Sequence, residues 1–324
     1  MSAAVTRSLG VRNQRLRAGV SNLPDKLFRS LTAVCGALLL GVIVLIAVEM
    51  IGESQLSFRA FGWHFLWSTA WDPVKKEFGA LPFIYGTVVT SFLALLVATP
   101  ISVGVAIFIV ELAPPWLGNA VSAVVELLAG IPSVLIGLWG IFVMVPVIQR
   151  GIGPALTDRF PDFPLFQGPV YGVSLLAGAM ILGIMVIPTL VAITRDVMLT
   201  VPTAQREGML ALGATDWEAI KGTVLPWARY GILGAVMLAL GRALGETMAV
   251  TMVIGNKPAI SASLLQPSYT MASVIANEFT EATYQLYVSA LIEVGLVLFL
   301  VTVIMNGLAR LLVWSTARAS ASLG

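Results

Sequence analysis

The chain has 324 residues, 58% hydrophobic and only 11% charged, with a net charge of +2 and a mean hydropathy of +0.92. Soluble domains carry about a quarter charged residues, so this composition excludes a water-soluble fold of such length. The small net charge gives no footprint for a nucleic-acid partner, and one cysteine (Cys35) with one histidine (His64) supplies neither an intramolecular disulfide nor metal-ligand spacing.

The first 28 residues form a basic leader that includes Arg7, Arg12, Arg15 and Arg17. The apolar run behind it, Leu31–Val48, exceeds a signal-peptide core, and no Ala-x-Ala-like site follows, so an uncleaved first helix is predicted over about 29–51. The 52–81 segment is aromatic, with Phe58, Trp63, Trp67, Trp71 and Phe78. It reads as an interfacial segment, with docking of an external partner as the other reading. Leu81–Val110 has no charge across 30 residues, and a ~30 Å hydrocarbon core takes roughly 20 apolar residues as a helix. The second span is therefore predicted over 82–111 and the third over 119–148, with Glu126 inside it. Pro154, Pro161, Pro164 and Pro169 mark 149–169 as a connection, followed by a fourth span over 170–194. The fifth and sixth cover 229–254 and 286–314, the sixth holding Glu293. The domain reading is a basic tail over 1–28, a six-helix membrane domain over 29–315 with a loop at 195–229, and a short tail over 316–324. Six spans put both termini on one side. That side collects 12 Lys and Arg and the other side 6, so the positive-inside rule places both termini in the cytoplasm.

The loop over 195–229 is long but does not have a loop's composition. Thr203–Ala214 predicts a short helix that Gly213 ends in a left-handed conformation. Thr215 or Asp216 then caps a second helix beginning at Trp217, and Pro226 marks entry to the fifth span. The resulting hairpin has an exposed apolar side, which calls for a partner. Glu207-Gly208-Met209, then Gly213, then Leu225-Pro226 resembles the loop that marks permeases of ATP-binding-cassette importers; Gly208, Met209 and Thr223 depart from that pattern. The resemblance implies that Arg206, Glu207, Gly208, Leu212, Gly213, Ala214, Leu225 and Pro226 dock a cytoplasmic ATPase.

Arg242 and Glu246 fall near the middle of the fifth span, where a charge costs about 2.5–3.5 kcal/mol on insertion scales. Their i, i+4 spacing puts them on one helical face, within salt-bridge reach. Two readings are open: a self-neutralising pair that fixes packing, or residues of a substrate pathway. Guanidinium binds phosphate oxygens bidentately, and Glu246 is placed to hold Arg242 between transport events. Thr247, Glu126 and Glu293 are further pathway candidates, with helix bracing as the other role for the two glutamates.

Gly241-Arg-Ala-Leu-Gly-Glu-Thr-Met-Ala-Val-Thr251 resembles the signature of the phosphate-specific permease subunit of the PstC type. So do Ala129–Gly140, Phe78–Thr87 and Glu207–Thr215, and the likeness covers about residues 30–314. It implies an all-α, six-helix permease of the type I ATP-binding-cassette importer fold in the inner (plasma) membrane of a prokaryote. It also implies a second related permease, a dimer of ATPase subunits, an external phosphate-binding protein, and Arg242 and Glu246 serving phosphate passage. No Gly-x-x-x-x-Gly-Lys-Ser/Thr loop occurs. The chain is thus expected to hold no cofactor and to be non-catalytic, with ATP used by the partner. Other readings are a permease for sulfate or molybdate, a secondary transporter relaying protons through Glu126, Glu246 and Glu293, and a membrane enzyme or insertase.

Overall fold

The computed structural model describes residues 23–321, with side chains over 25–311. The basic leader before Leu23 and the last residues of the C-terminal tail lie outside the described residues. Helix α1 (Leu23–Glu53) makes up the first of two units, which ends at Gly52. The second unit holds α2 (Gln55–Phe61), α3 (Leu81–Leu112), α4 (Pro115–Ala129), α5 (Ser133–Arg159) and α6 (Leu175–Leu199). It continues through α7 (Thr203–Ala211), α8 (Asp216–Gly245), α9 (Met248–Ile254), α10 (Met271–Glu278) and α11 (Gln285–Ala321). Six helices, α1, α3, α5, α6, α8 and α11, are long and apolar enough to cross a membrane, in agreement with the expected number.

Helix α6 is the axis of the second unit: 61% of its apolar window is buried, against 28% for α3 and for α8. Lipid tails are as apolar as the helices, so close packing of small residues must hold such a bundle together. Ala94 and Ala98 of α3, and Ala235, Ala239 and Ala243 of α8, recur every fourth residue. They form the stripes that let both helices approach Leu182, Val186 and Leu190 of α6.

The third span differs from its expected course. Pro132 lacks a donor and clashes with the preceding turn, and it adopts extended dihedrals (φ −57°, ψ 137°) just ahead of Ser133. The apolar stretch is therefore cut in two. Helix α4, with 15 residues, is too short to cross, and the span proper is α5, which runs on to Arg159 through part of the expected connection. Prolines act a second way. The four π turns among the described residues, Phe108–Leu112, Gly140–Met144, Ile148–Ile152 and Ile220–Val224, end two residues before Pro114, Pro146, Pro154 and Pro226 respectively. A proline inside a helix forfeits one backbone bond and crowds the carbonyl a turn earlier. At Pro146, Pro154 and Pro226, which lie in continuous helix, widening that turn to an i→i+5 bond, as in Val145 N–H to the Gly140 carbonyl, relieves the crowding while keeping the backbone paired.

The bundle has two ends, one carrying the α7–α8 hairpin and one distal to it. At the distal end the aromatic segment is folded, beyond the interfacial role expected for it. Trp71 packs edge-on to Phe78 and Phe83, and Phe78 stacks on Tyr287. Glu278 accepts hydrogen bonds from Trp71 Nε1 (2.8 Å) and from the Tyr287 hydroxyl (2.6 Å). The 255–270 connection closes on α3: Gly86 stands against the Tyr269 carbonyl, and Thr87 Oγ1 accepts the Met271 N–H at 2.9 Å. Burial pushes the Tyr269 phenol up to about 12, so it remains a neutral member of this cap.

Helix α9 seats into a groove that glycines create on α5. A Cβ on Gly137 would lie 2.6 Å from Met252 Sδ and 3.0 Å from Ala249 Cα, whereas one on Gly104 meets nothing within 4 Å. Gly137→Ala should lower stability by about 1–3 kcal/mol through overpacking, read as a lower Tm of the purified protein in detergent. Gly104→Ala should leave Tm unchanged or slightly raised, because alanine is the better helix former.

Candidate functional site

The fifth span is interrupted where its charges sit. Helix α8 ends at Gly245, Glu246 is extended (φ −68°, ψ 126°), and α9 begins at Met248. Side chains replace the backbone bonds lost there, as a membrane interior requires. Glu246 Oε1 accepts the Ala249 N–H at 3.3 Å, and Thr247 Oγ1 donates to the Gly245 carbonyl at 3.1 Å. Thr251 Oγ1 also donates to the Thr247 carbonyl at 2.7 Å.

This break corrects the i, i+4 expectation. Without a continuous helix between them, Arg242 and Glu246 do not pair: among the described residues the ion pairs within 4 Å are Lys75–Asp72, Arg195–Glu126, Arg195–Asp196 and Arg206–Glu111. The Glu246 carboxylate turns to the start of α9. The Arg242 guanidinium is exposed and donates through Nη1 to Thr189 Oγ1 on α6 at 3.1 Å, next to Pro188. Arg242 lies in the last turn of α8, where helix carbonyls favour a cation. Thr189 was not singled out from the sequence, although a hydroxyl directly after a mid-span proline was the available signal.

Arg242, Glu246 and Thr247 therefore share one turn, and the other two candidates lie elsewhere. Glu126 belongs to the short α4, not to a span; its side chain is 67% exposed and pairs with Arg195 at 3.5 Å near the hairpin end of α6. Glu293 is buried at the distal end of α11, one turn from Ser289. Ser289 accepts the Ser57 N–H (3.1 Å) and donates to the Glu53 carbonyl (2.7 Å), so Glu293 sits where α2 is fastened to α11.

At the opposite end the hairpin is built as the sequence predicts, with α7 ending a turn earlier than expected. Gly213 is left-handed (φ +87°), its N–H meets the Leu210 carbonyl at 2.9 Å, and the Ala214 N–H meets the Met209 carbonyl at 3.1 Å. These two bonds are the Schellman termination that glycine permits. Thr215 caps the next turn: its Oγ1 accepts the Glu218 N–H at 3.3 Å, and Glu218 Oε2 accepts the Thr215 N–H at 2.8 Å. A cleft of about 540 Å³, lined by Ala204, Gly208, Met209, Leu212, Pro226 and Trp227, opens between α7 and the start of α8. Glu207 is exposed, and Leu212 and Trp217 project with 86% and 60% of their surfaces free. Leu225 faces the other way, into the cluster of Ala106, Met198, Val201, Val224 and Ala228 that seats the hairpin on the bundle. Arg206, expected among the docking residues, is turned inward in the structure. Its Nη2 lies 2.7 Å from Glu111 Oε1 of α3 and donates to the Met198 carbonyl of α6 at 3.0 Å, pointing toward the bundle. Glu111 was missed in the sequence, although it ends the long uncharged run.

The family model described as the binding-protein-dependent transport system inner membrane component matches residues 98–316, a stretch that contains both the hairpin and the broken span. The chain belongs to this family. It is 47% identical over 292 residues to the phosphate transport system permease protein PstC of Mesorhizobium japonicum, covering 89% of each chain. It is 45% identical to the PstC of Pasteurella multocida, covering 89% of this chain and 91% of that one. The permease also shares its fold with solved importers. A chain of the MetNI methionine ABC transporter aligns with a TM-score of 0.56 at 17% identity, over 76% of this chain and 99% of that one. A chain of a bacterial alginate ABC transporter aligns at 0.55 and 18% identity, over 89% and 96%. The fold is that of type I ABC importer permeases, in a multi-pass membrane protein.

The hairpin's order rests on its caps. Thr215→Ala should cost about 1 kcal/mol of local stability, seen as faster hydrogen exchange at the Glu218 and Ala219 amides with exchange in α6 unchanged.

Proposed function

We propose that this permease is one half of the membrane channel of an ATP-driven importer that carries inorganic phosphate into the cytoplasm. The observation that carries the reading is Arg242: a guanidinium at the break in a spanning helix, with a neutral hydroxyl as its hydrogen-bond partner and its sequence neighbour Glu246 engaged elsewhere. Such a group presents free donors in a fork that matches a tetrahedral oxyanion. The relatives' names, phosphate transport system permease proteins, supply the cargo. In this reading Arg242 contacts the anion, while Glu246 and Thr247 hold the break open beside it.

The hairpin cleft is the seat of a cytoplasmic ATPase, where Glu207, Gly208 and Leu212 meet the partner and Gly213, Ala214 and Pro226 fix the hairpin's shape. ATP is bound and hydrolysed by that partner, and this chain holds no cofactor. Two ATPase copies, a second and related permease, and an external phosphate-binding protein complete the assembly, which sits in the cytoplasmic membrane of a prokaryote. Both termini face the cytoplasm, as the 12 to 6 distribution of Lys and Arg favours.

The test is ATP-dependent uptake of labelled phosphate by vesicles holding the complete complex. Arg242→Gln should reduce uptake at least about 100-fold, the scale of losing a preorganised donor to an oxyanion, while all subunits still co-purify. Arg242→Lys should keep part of the activity, because the charge remains and the fork is lost. Excess sulfate should not compete. Equal competition by sulfate would assign another oxyanion, and uptake that survives removal of the ATPase would overturn the reading.

A further inference from the structure

The hairpin that receives the ATPase must move the helices that hold Arg242, and one side chain is built as the joint. Most of the hairpin's polar groups face solvent: Gln205, Glu207, Asp216 and Lys221 are exposed. Arg206 is the exception. Its side chain is four-fifths covered, its Nη2 lies 2.7 Å from Oε1 of Glu111, whose side chain is 11% exposed, and it donates to the Met198 carbonyl at 3.0 Å.

Glu111 and Met198 belong to the last turns of two different spanning helices, α3 and α6. A helix C-terminus presents unpaired carbonyls and disfavours a carboxylate. Glu111 at the end of α3 therefore depends on a cation supplied from outside its own helix, while the Met198 carbonyl, which already accepts the Val201 N–H at 3.2 Å, has a second lone pair to offer. Arg206 reaches both from α7. One guanidinium thus ties the docking helix to the ends of α3 and α6, above the apolar cluster of Ala106, Met198 and Val201.

The path from there to the break runs along two packed helices. Helices α3 and α6 pack through Ala94, Ala98, Leu182 and Leu190, and α6 carries Thr189, the hydrogen-bond partner of Arg242. We infer that Arg206 and Glu111 form the positioning joint through which movement of the hairpin pulls the ends of α3 and α6 and shifts Thr189 relative to Arg242. The inference rests on the ATPase-docking reading of the hairpin.

The experiment uses the complete complex in vesicles and measures ATP hydrolysis, labelled-phosphate uptake and subunit co-purification together. Glu111→Gln keeps the size and one acceptor of the side chain and removes the charge. It should leave the ATPase bound and hydrolysing while the ratio of phosphate imported to ATP hydrolysed falls about tenfold, within the usual span of coupling between sites. Arg206→Gln should do the same, and the exchanged pair Glu111→Arg with Arg206→Glu should recover most of the ratio. An unchanged ratio in both single variants would overturn the joint. So would a fall in uptake matched by an equal fall in hydrolysis, or an exchanged pair no better than the single variants. If the wild-type hairpin fails to retain the ATPase, the docking reading itself fails, an outcome visible in the co-purification before any variant is made.

Discussion

A hydrocarbon interior offers no water to an unpaired N–H or carbonyl, and this one constraint shapes nearly every irregular feature of the permease. Where the fifth span breaks, Glu246 and Thr247 supply bonds the helix gives up. That substitution has a consequence for charge. The carboxylate nearest in sequence to Arg242 is committed to the amide of Ala249, so the guanidinium is left with Thr189 and open donors. A continuous helix would have neutralised the arginine; a broken one makes it available. The break is also why α9 is a separate piece, free to settle against Gly137 and Gly140 of α5, where a Cβ would collide with Met252 and Val253.

The prolines follow from the same constraint. Three of the four π turns among the described residues end two residues before a proline within continuous helix, so the backbone there widens to keep its bonds where the ring forbids a normal turn. One of these turns, Ile220–Val224, lies between the hairpin and the body of the fifth span, and the fourth, Phe108–Leu112, contains Glu111. Adjustable turns thus lie on both sides of the contact between the hairpin and the bundle. The alanine-lined seams of α3, α6 and α8 contain no such turn.

Much of this was legible in the sequence because it is written in local pattern. The six spans follow from hydropathy, the left-handed Gly213 and the Thr215 cap from residue types at fixed offsets, and the hairpin from their order. The parts that were not legible depend on chain continuity and distance. Glu126 reads as intramembrane only if the helix runs through Pro132, and it does not. Arg242 and Glu246 read as a pair only if the helix continues past Gly245. Arg206 reads as a docking residue from its place in the motif, and only the fold reveals that Glu111, 95 positions away, turns it inward. Glu293 lies in a true span, yet it sits beneath α2, a contact no periodicity encodes.

The central claim is that Arg242 works as an unneutralised cation while Glu246 serves the backbone. ATP-dependent phosphate uptake by the complete complex carrying Glu246→Gln tests it most directly, because glutamine keeps an oxygen for the Ala249 amide and discards the charge. The account predicts uptake within about fivefold of wild type, equivalent to about 1 kcal/mol in the barrier. Loss of uptake as complete as that expected for Arg242→Gln would show that the two charges act as a pair, and would contradict it.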